Sequence, residues 1–183
     1  NVLISGSGIL FSAMLDRVQE RLKALKVEKS ARIVVAYSGG PDSTALLQIL
    51  VDLGYDVVAA HLNHGMRSEA ADEAEFLRGI CAKLDVPFYV ANANVSLAAK
   101  ELGIGIEDAG RRARYEFLQR LSLHLGDVIV ATGHTQDDHV ETVLLNLTRG
   151  TGLDGLRGIP AERDNIIRPL LDVTRAETRR YCV

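Results

Sequence analysis

The chain has 183 residues, of which 47% are hydrophobic and 25% charged, and its formal net charge is −3 at pH 7. These values are typical of one ordinary globular domain, and they exclude a disulfide-stapled miniprotein, a collagen-like repeat and a wholly disordered chain. Because the total charge is slightly acidic, a nucleic acid partner would have to be held by a local basic patch.

The two cysteines, Cys81 and Cys182, are too few and too far apart for a disulfide framework or a Cys-x-x-Cys site. A reducing, cytoplasmic setting is therefore expected. Residues 9–15 are the one candidate targeting core, but they form a short run that Ser12 interrupts and that no basic residue precedes. No other stretch has the apolar length of a membrane span, so we expect no membrane partner.

The first 30 residues are predicted to be a lead-in followed by an amphipathic helix, because apolar residues recur at helical spacing between Phe11 and Leu25. Four short apolar runs with many β-branched residues then predict buried strands, at 33–37, 57–62, 88–91 and 128–132. Helical patterns lie between them at 44–53, 70–84 and 107–125. This alternation predicts an α/β fold, a doubly wound and mostly parallel sheet with helices on both faces.

Two further helices are predicted after the last strand. Thr135 is a good N-cap for a helix whose buried stripe is expected to be Val140, Val143, Leu144 and Leu147. Thr174 and Glu177 have the spacing of a capping box, and barely two turns later the sequence stops at Val183. No linker is visible, so we expect residues 1–183 to be a single N-terminal domain of a longer protein, whose C-terminal domains are missing here.

A glycine-rich segment between the first strand and its helix predicts a phosphate cradle. The segment consists of Ser38, Gly39, Gly40, Pro41, Asp42, Ser43 and Thr44. Adjacent glycines let the backbone approach an anion, the hydroxyls add donors, and the helix N-terminus contributes about half a positive charge. Asp42 would repel bare phosphate, so a divalent cation such as Mg²⁺ is expected between them. The alternative is an ordinary capped strand-to-helix turn, which the complete string makes less favoured.

The string from Ser38 to Ser43 resembles the SGGxDS signature of the PP-loop ATP pyrophosphatases, which cleave ATP between its α and β phosphates and adenylate a substrate oxygen. Three further blocks, at 61–67, 111–115 and 133–155, resemble the tRNA(Ile)-lysidine synthetases, and the whole resemblance spans residues 31–171. It implies an ATP- and Mg²⁺-dependent ligase. Such an enzyme joins free L-lysine to C2 of the wobble cytidine of an isoleucine tRNA with a CAU anticodon.

The resemblance also implies where the nucleotide lies. It places adenine and ribose beside His61, Asn63 and His64 after the second strand, and it adds Gly133 to the ATP-binding residues. A lone histidine in such a place is more often a capped turn residue. Two alternatives remain for Arg67: it is either a solvated surface charge or a residue that contacts phosphate or substrate.

Three arginines lie close together on the predicted long helix. Arg111, Arg114 and Tyr115 share one face, and Arg112 points about a quarter-turn away. The alternative is a solvated face, paired with Glu107, Asp108 and Glu116. In a net acidic protein this density favours phosphate binding, with Arg111 and Arg114 as catalytic residues and Arg112 as a substrate-binding residue. Which arginine meets ATP and which meets tRNA stays open.

Asp138 and Glu141 lie three residues apart at the start of the next helix. Acidic residues in a first turn often only complement the helix dipole, which accounts for Asp138 better than for Glu141. The resemblance assigns Asp138 with Asp42 to Mg²⁺, and Asp138 with Glu141 to an ammonium group of lysine. His134 is predicted to stabilise the leaving pyrophosphate or to accept a proton.

Residues 150–158 contain four glycines and are predicted to be a lid over the nucleotide, with a plain surface connection as the alternative. Two rival functions remain. A tRNA thiolase would need a cysteine pair that this chain does not supply, and a non-catalytic nucleotide sensor would have no use for Asp138 and Glu141. A homodimer is compatible with the resemblance.

Overall fold

The computed structural model describes residues 8–65, 70–150 and 152–182. Within them, one sheet has the strand order β3-β2-β1-β4-β6-β5. The strands are β1 (Arg32–Ala36), β2 (Asp56–Asn63), β3 (Phe88–Asn92), β4 (Ile129–Ala131), β5 (Glu162–Arg163) and β6 (Ile166–Ile167). All the pairings are parallel except that of β5 with β6. The predicted α/β class with a mostly parallel sheet is confirmed.

Seven α-helices connect and flank these strands in the described residues. They are α1 (Gly8–Ala24), α2 (Pro41–Asp52), α3 (Ala70–Lys83), α4 (Val95–Leu102), α5 (Ile106–His124), α6 (Gln136–Thr148) and α7 (Arg175–Tyr181). A 3₁₀ helix covers Leu153–Arg157. None of the helices in this part of the chain is long and apolar enough to cross a membrane.

The core lies on both faces of the sheet because side chains alternate along each strand. Ile33 and Val35 of β1 face the larger cluster, to which α1, α2 and α7 contribute buried residues. Val34 faces the opposite side, where it packs with Leu118 and Leu121 of α5. The two-sided burial predicted from the continuous apolar runs is therefore present.

The strand order places a crevice between β1 and β4. The chain leaves β1 through α2 to reach β2 on one side, whereas β4 lies on the other side of β1. In doubly wound sheets, ligands bind at the carboxyl ends of the strands where the order reverses. The segments after β1, β2 and β4 meet at this edge, as the sequence predicts.

Two predicted burial patterns are wrong. β3 was expected to be buried, but it forms the sheet edge, and Tyr89 and Val90 are each 38% exposed. The apolar side of α6 was also expected to be buried, yet Val140 and Leu144 are 50% and 56% exposed, and Leu147 is 51% exposed. Apolar spacing indicates that a helix has an apolar side, but it does not indicate that a neighbour covers that side. Helix α6 packs mainly against the 3₁₀ helix.

One helix boundary and three short elements also differ from prediction. Helix α2 begins at Pro41 rather than Thr44, because the extended Gly40 is its N-cap and proline suits the first helical position. Helix α4 and the two-residue strands β5 and β6 were not predicted, since each is too short for a clear periodic signal.

Candidate active site

A cleft of about 810 Å³ lies at the carboxyl edge of β1, β2 and β4. Most predicted site residues line it: Ser38, Gly40, Asp42, Ser43, His61, Asn63, Arg111, Arg114, Gly133, His134 and Asp138. Gly39, Pro41, Thr44, Arg112 and Glu141 are not among its lining residues. Arg67 lies outside the described residues.

The phosphate loop is folded tightly by its own side chains. Gly39 has φ +79°, a conformation that favours glycine, and a Cβ there would lie 2.8 Å from a methyl carbon of Leu77, which would have to move. The Ser43 hydroxyl donates to the Gly40 carbonyl at 3.0 Å and accepts from the Ser38 amide at 3.2 Å. The amides in the first turn of α2 lack helical acceptors, as at every helix start, and Asp42 and Ser43 of this turn line the cleft. This geometry suits an anion.

Asp42 lies at the beginning of α2, where one carboxylate oxygen accepts a hydrogen bond from the Thr178 hydroxyl of α7. The described residues contain no group of three or more His, Cys, Asp or Glu that could hold a metal ion by itself. Mg²⁺ commonly uses one or two carboxylates together with phosphate oxygens and water. A carboxylate beside a phosphate loop therefore fits Mg²⁺ that arrives with a polyphosphate.

Three residues at the carboxyl end of β2 line the cleft: His61, Asn63 and His64. His61 is 6% exposed, and its Nδ1 lies 2.9 Å from the Tyr37 carbonyl oxygen. The Asn63 side chain accepts from the Gly65 amide at 2.9 Å, which closes a turn. His64 has a buried Nδ1 that lacks a partner in the described residues, while its Nε2 lies 3.5 Å from Arg114. Burial first and Arg114 second lower the pKa of His64, so its ring is neutral at pH 7.

The arginines of α5 take the arrangement that the helix spacing predicts. Arg111, Arg114 and Tyr115 line the cleft, and the Arg111 guanidinium lies 5.6 Å from the centre of the Tyr115 ring. Arg112 lies outside the cleft lining, on a neighbouring shallow surface. Glu116, one of the three acidic partners considered for a solvated face, binds Arg120 at 2.5 Å. Both cleft arginines, Arg111 and Arg114, are exposed.

His134 follows β4 and lines the same cleft as the phosphate loop. Its Nδ1 is 2.9 Å from the Thr132 hydroxyl. Burial first, and then the positive charge of Arg168, lower the pKa of His134, so the ring is neutral at pH 7 and can accept a proton. Arg168 is only 5% exposed, and sequence reasoning missed it. The sequence did contain one signal of its burial, since this single arginine lies between the apolar pairs 166–167 and 170–171.

The predicted carboxylate pair is bound by an arginine that sequence reasoning also missed. Arg175 of α7 donates from Nη2 to Asp138 at 2.5 Å and from Nη1 to Glu141 at 2.7 Å. The other Asp138 oxygen accepts from the amide and hydroxyl of Thr135 at 2.7 and 2.8 Å, which forms a capping box. Partial burial alone would raise the pKa of Asp138, but the bonds from Thr135 and Arg175 outweigh it and leave that pKa below its ordinary value.

The described residues of the glycine-rich segment at 150–158 pack against α6. None of its described residues lines the cleft. Asn146 of α6 donates to the Gly155 carbonyl at 2.9 Å, and a Cβ on Gly158 would lie 2.6 Å from the His139 ring. Glycine here allows close packing on α6, and the lid over the nucleotide stays a prediction.

Residues 14–183 match the model of a family described as the PP-loop domain. Among curated proteins, a tRNA(Ile)-lysidine synthase of Porphyromonas gingivalis is 44% identical over 173 residues, and one of Clostridium tetani is 41% identical over 176 residues. Each alignment covers 92% of this chain but only 38% of the relative, so the chain spans under two-fifths of their length.

Solved structures show the same fold at low sequence identity. The U34-tRNA thiolase NcsA from Methanococcus maripaludis, with its [4Fe-4S] cluster, has a TM-score of 0.75 at 18% identity, over 93% of this chain and 62% of its own. A glutamine-dependent NAD⁺ synthetase from Acinetobacter baumannii, in complex with ADP, has a TM-score of 0.63 at 20% identity, over 92% and 31%. At such identities the likeness concerns the fold alone.

Proposed function

The chain belongs to the PP-loop domain family, and from this premise we propose that it ligates lysine to C2 of the wobble cytidine in a CAU-anticodon isoleucine tRNA. The observation that carries the proposal is that a phosphate loop, an arginine face and a carboxylate beside a neutral histidine meet in one cleft. The activity belongs to the whole protein, of which this chain supplies the ATP-binding catalytic domain. The reaction takes place in the cytoplasm with ATP and Mg²⁺.

The first step activates the tRNA. The ATP phosphates bind the amides of the Ser38–Ser43 loop, and O2 of the cytidine attacks the α-phosphorus. A new P–O bond forms while the bond to the bridging oxygen breaks, and pyrophosphate leaves. Arg111 and Arg114 stabilise the charge that grows on the phosphate oxygens. Asp42 and Asp138 are the carboxylates that would hold Mg²⁺, which would neutralise phosphate charge when bound.

The second step transfers lysine. The ε-amine attacks C2 of the adenylated cytidine, and the C–O bond to AMP breaks. A free ε-ammonium has a pKa of about 10.4, so the group must lose a proton before attack. In one tautomer, Nδ1–H of His134 donates to the Thr132 hydroxyl, which leaves Nε2 to accept this proton. Asp138 and Glu141 bind an ammonium group of the incoming lysine.

Arg112 and the apolar side of α6 are proposed to contact macromolecules. Arg112 lies outside the cleft on the same helix as Arg111, where it can bind the tRNA backbone. A second copy of the chain is proposed to cover the apolar side of α6, because Leu144 and Leu147 are more than half exposed. In a two-fold dimer one self-complementary patch covers its equal.

Thiolation is the less favoured function. Cys81 is fully buried, and burial raises the pKa of its thiol to about 11, so it does not form a thiolate at neutral pH. Neither Cys81 nor Cys182 lines the cleft. A sulfur-carrying route would therefore lack a reactive group in the described residues.

The experiment that tests the proposal is exchange of labelled pyrophosphate into ATP by the full-length protein. Exchange is expected with tRNA present and lysine absent, since adenylation of tRNA comes first. No exchange under any combination of tRNA and lysine would favour the nucleotide sensor.

A further inference from the structure

Two hydrogen bonds from a hydroxyl to a carboxylate join α7 to α2. Thr178 donates to Oδ1 of Asp42 at the start of α2, and Tyr181 donates to Oδ2 of Asp52 at its end, at 2.5 Å. Asp42 lines the cleft, whereas Asp52 does not. The two bonds make the same kind of link between the same two helices, but only the first reaches a carboxylate of the candidate active site.

The position of Thr178 does not depend on its bond to the phosphate loop. Glu177 closes the capping box of α7 and is paired with Arg17 of α1. At the end of α7, the Tyr181 ring packs edge-on against Phe11, with 5.2 Å between the ring centres. Thr178 lies between these two anchors and is fully buried. Its hydroxyl is therefore a fixed point against which a less buried carboxylate can be held.

The Thr178 hydroxyl has two acceptors within reach of its one hydrogen. Oγ1 lies within hydrogen-bond distance of Asp42, and it is 2.9 Å from the Arg175 carbonyl oxygen in the same helix. A hydroxyl donates only once, and an ionised carboxylate is a stronger acceptor than a neutral carbonyl, so the hydrogen goes to Asp42. The carbonyl of the preceding turn could satisfy the buried hydroxyl by itself. The bond is thus a restraint on Asp42 rather than a requirement of Thr178.

This restraint gives the two oxygens of Asp42 different environments. Oδ1 accepts from Thr178, and no hydrogen bond from the described residues reaches Oδ2. Carboxylates that bind a metal ion are commonly held by hydrogen bonds from residues behind them, which fix their direction. Because a side chain held in this way has little freedom left to lose, the entropy cost of binding a cation is lower.

We propose that Thr178 is a positioning residue for the Mg²⁺ that arrives with ATP: its hydroxyl holds Oδ1 of Asp42 and leaves Oδ2 for the cation. The inference rests on the binding of Mg²⁺·ATP in the proposed function, and it does not depend on the tRNA or the amine. Thr178 lies 136 positions after Asp42, so no local pattern around the phosphate loop indicates it.

The test is calorimetric titration of the full-length protein with ATP, once with Mg²⁺ and once with a chelator. Thr178→Val keeps the shape of the side chain and removes the hydroxyl. It is expected to weaken binding of Mg²⁺·ATP about tenfold, and binding of metal-free ATP by less than about twofold, because the lost bond acts through the metal ligand. Thr178→Ser keeps a hydroxyl and should bind Mg²⁺·ATP as the wild type does.

Tyr181→Phe is the matched control, since it removes the other bond from a hydroxyl to an aspartate between the same helices. It is expected to lower the free energy of unfolding, as Thr178→Val does, without changing the affinity for Mg²⁺·ATP. In an Asp42→Asn background, Thr178→Val should have no further effect on this affinity, because the carboxylate that it positions is gone. If Thr178→Val does not fold, Thr178→Ala compared with Thr178→Ser gives the same contrast.

Three results would overturn the role of Thr178. They are an unchanged affinity for Mg²⁺·ATP in Thr178→Val, an equal loss of affinity in Tyr181→Phe, and an equal loss with and without Mg²⁺. Either of the last two would mean that α7 supports the phosphate loop as a whole. A wild type that binds Mg²⁺·ATP but transfers no lysine would refute the proposed ligation and leave this role intact, whereas a wild type that binds no Mg²⁺·ATP would refute both.

Discussion

Gly133 lies directly against the backbone of Asp42. A Cβ at position 133 would be 3.1 Å from the Asp42 carbonyl carbon, closer than side chains normally approach backbone. The end of β4 therefore contacts the start of α2 through a residue that has no side chain. This contact sets the spacing of the two cleft walls at the point where the strand order reverses.

Gly133→Ala is expected to push the phosphate loop out of place and weaken binding of Mg²⁺·ATP about tenfold, at a cost of about 1–3 kcal/mol in the free energy of unfolding. Calorimetric titration of nucleotide and chemical denaturation measure the two effects. Gly79→Ala is the control, since a Cβ at this α3 position meets nothing within 4 Å. Equal nucleotide affinity in both variants would show that the contact has no part in ATP binding.

Asp42→Asn should lower kcat/KM about a hundredfold or more, because the amide neither attracts Mg²⁺ nor offsets its charge. Chelation of Mg²⁺ should abolish wild-type activity, and readdition should restore it. Rates measured over a Mg²⁺ titration test both statements. Asp85→Asn, on the turn after α3, is expected to behave as wild type. A Mg²⁺ dependence unaltered by Asp42→Asn would remove this carboxylate from the metal site.

The acid limb of the kcat/KM profile is expected below pH 6.5, because burial and the charge of Arg168 hold the pKa of His134 below its ordinary value. Arg168→Met removes a positive charge, which raises that pKa, so activity should be lost at a higher pH than in the wild type. Arg112→Met, which changes an arginine outside the cleft lining, should leave the limb in place. If Arg168→Met shifts the limb downward or not at all, His134 is not the group that must be neutral.

The sequence predicts the sheet, the phosphate loop and the arginine face because each is a local pattern. The run from Ile33 to Ser43 specifies a strand, a turn and a helix start within eleven consecutive residues. Arg175 could not be assigned in this way, since its contact with Asp138 joins residues 37 apart that only the fold brings together. The exposed side of α6 was missed for a related reason: amphipathic spacing indicates an apolar surface without indicating a neighbour.

Leu144→Glu is expected to change the unfolding free energy of the monomer by less than about 0.5 kcal/mol, because the side chain is 56% exposed. Leu118→Ala, which truncates a side chain that is only 1% exposed, should lower the free energy of unfolding by about 2–5 kcal/mol. Sedimentation of the full-length protein should show that Leu144→Glu shifts a dimer to monomer. A dimer that persists in this variant would place the subunit contact elsewhere.

The most direct measurement is mass spectrometry of isoleucine tRNA with a CAU anticodon after incubation with full-length protein, ATP and L-lysine. We predict that one cytidine, in the anticodon, gains the mass of lysine less water, and that AMP and pyrophosphate form in equal amounts. An unchanged tRNA in a reaction where ATP is still converted to AMP would contradict lysine ligation, as would a gain that corresponds to sulfur.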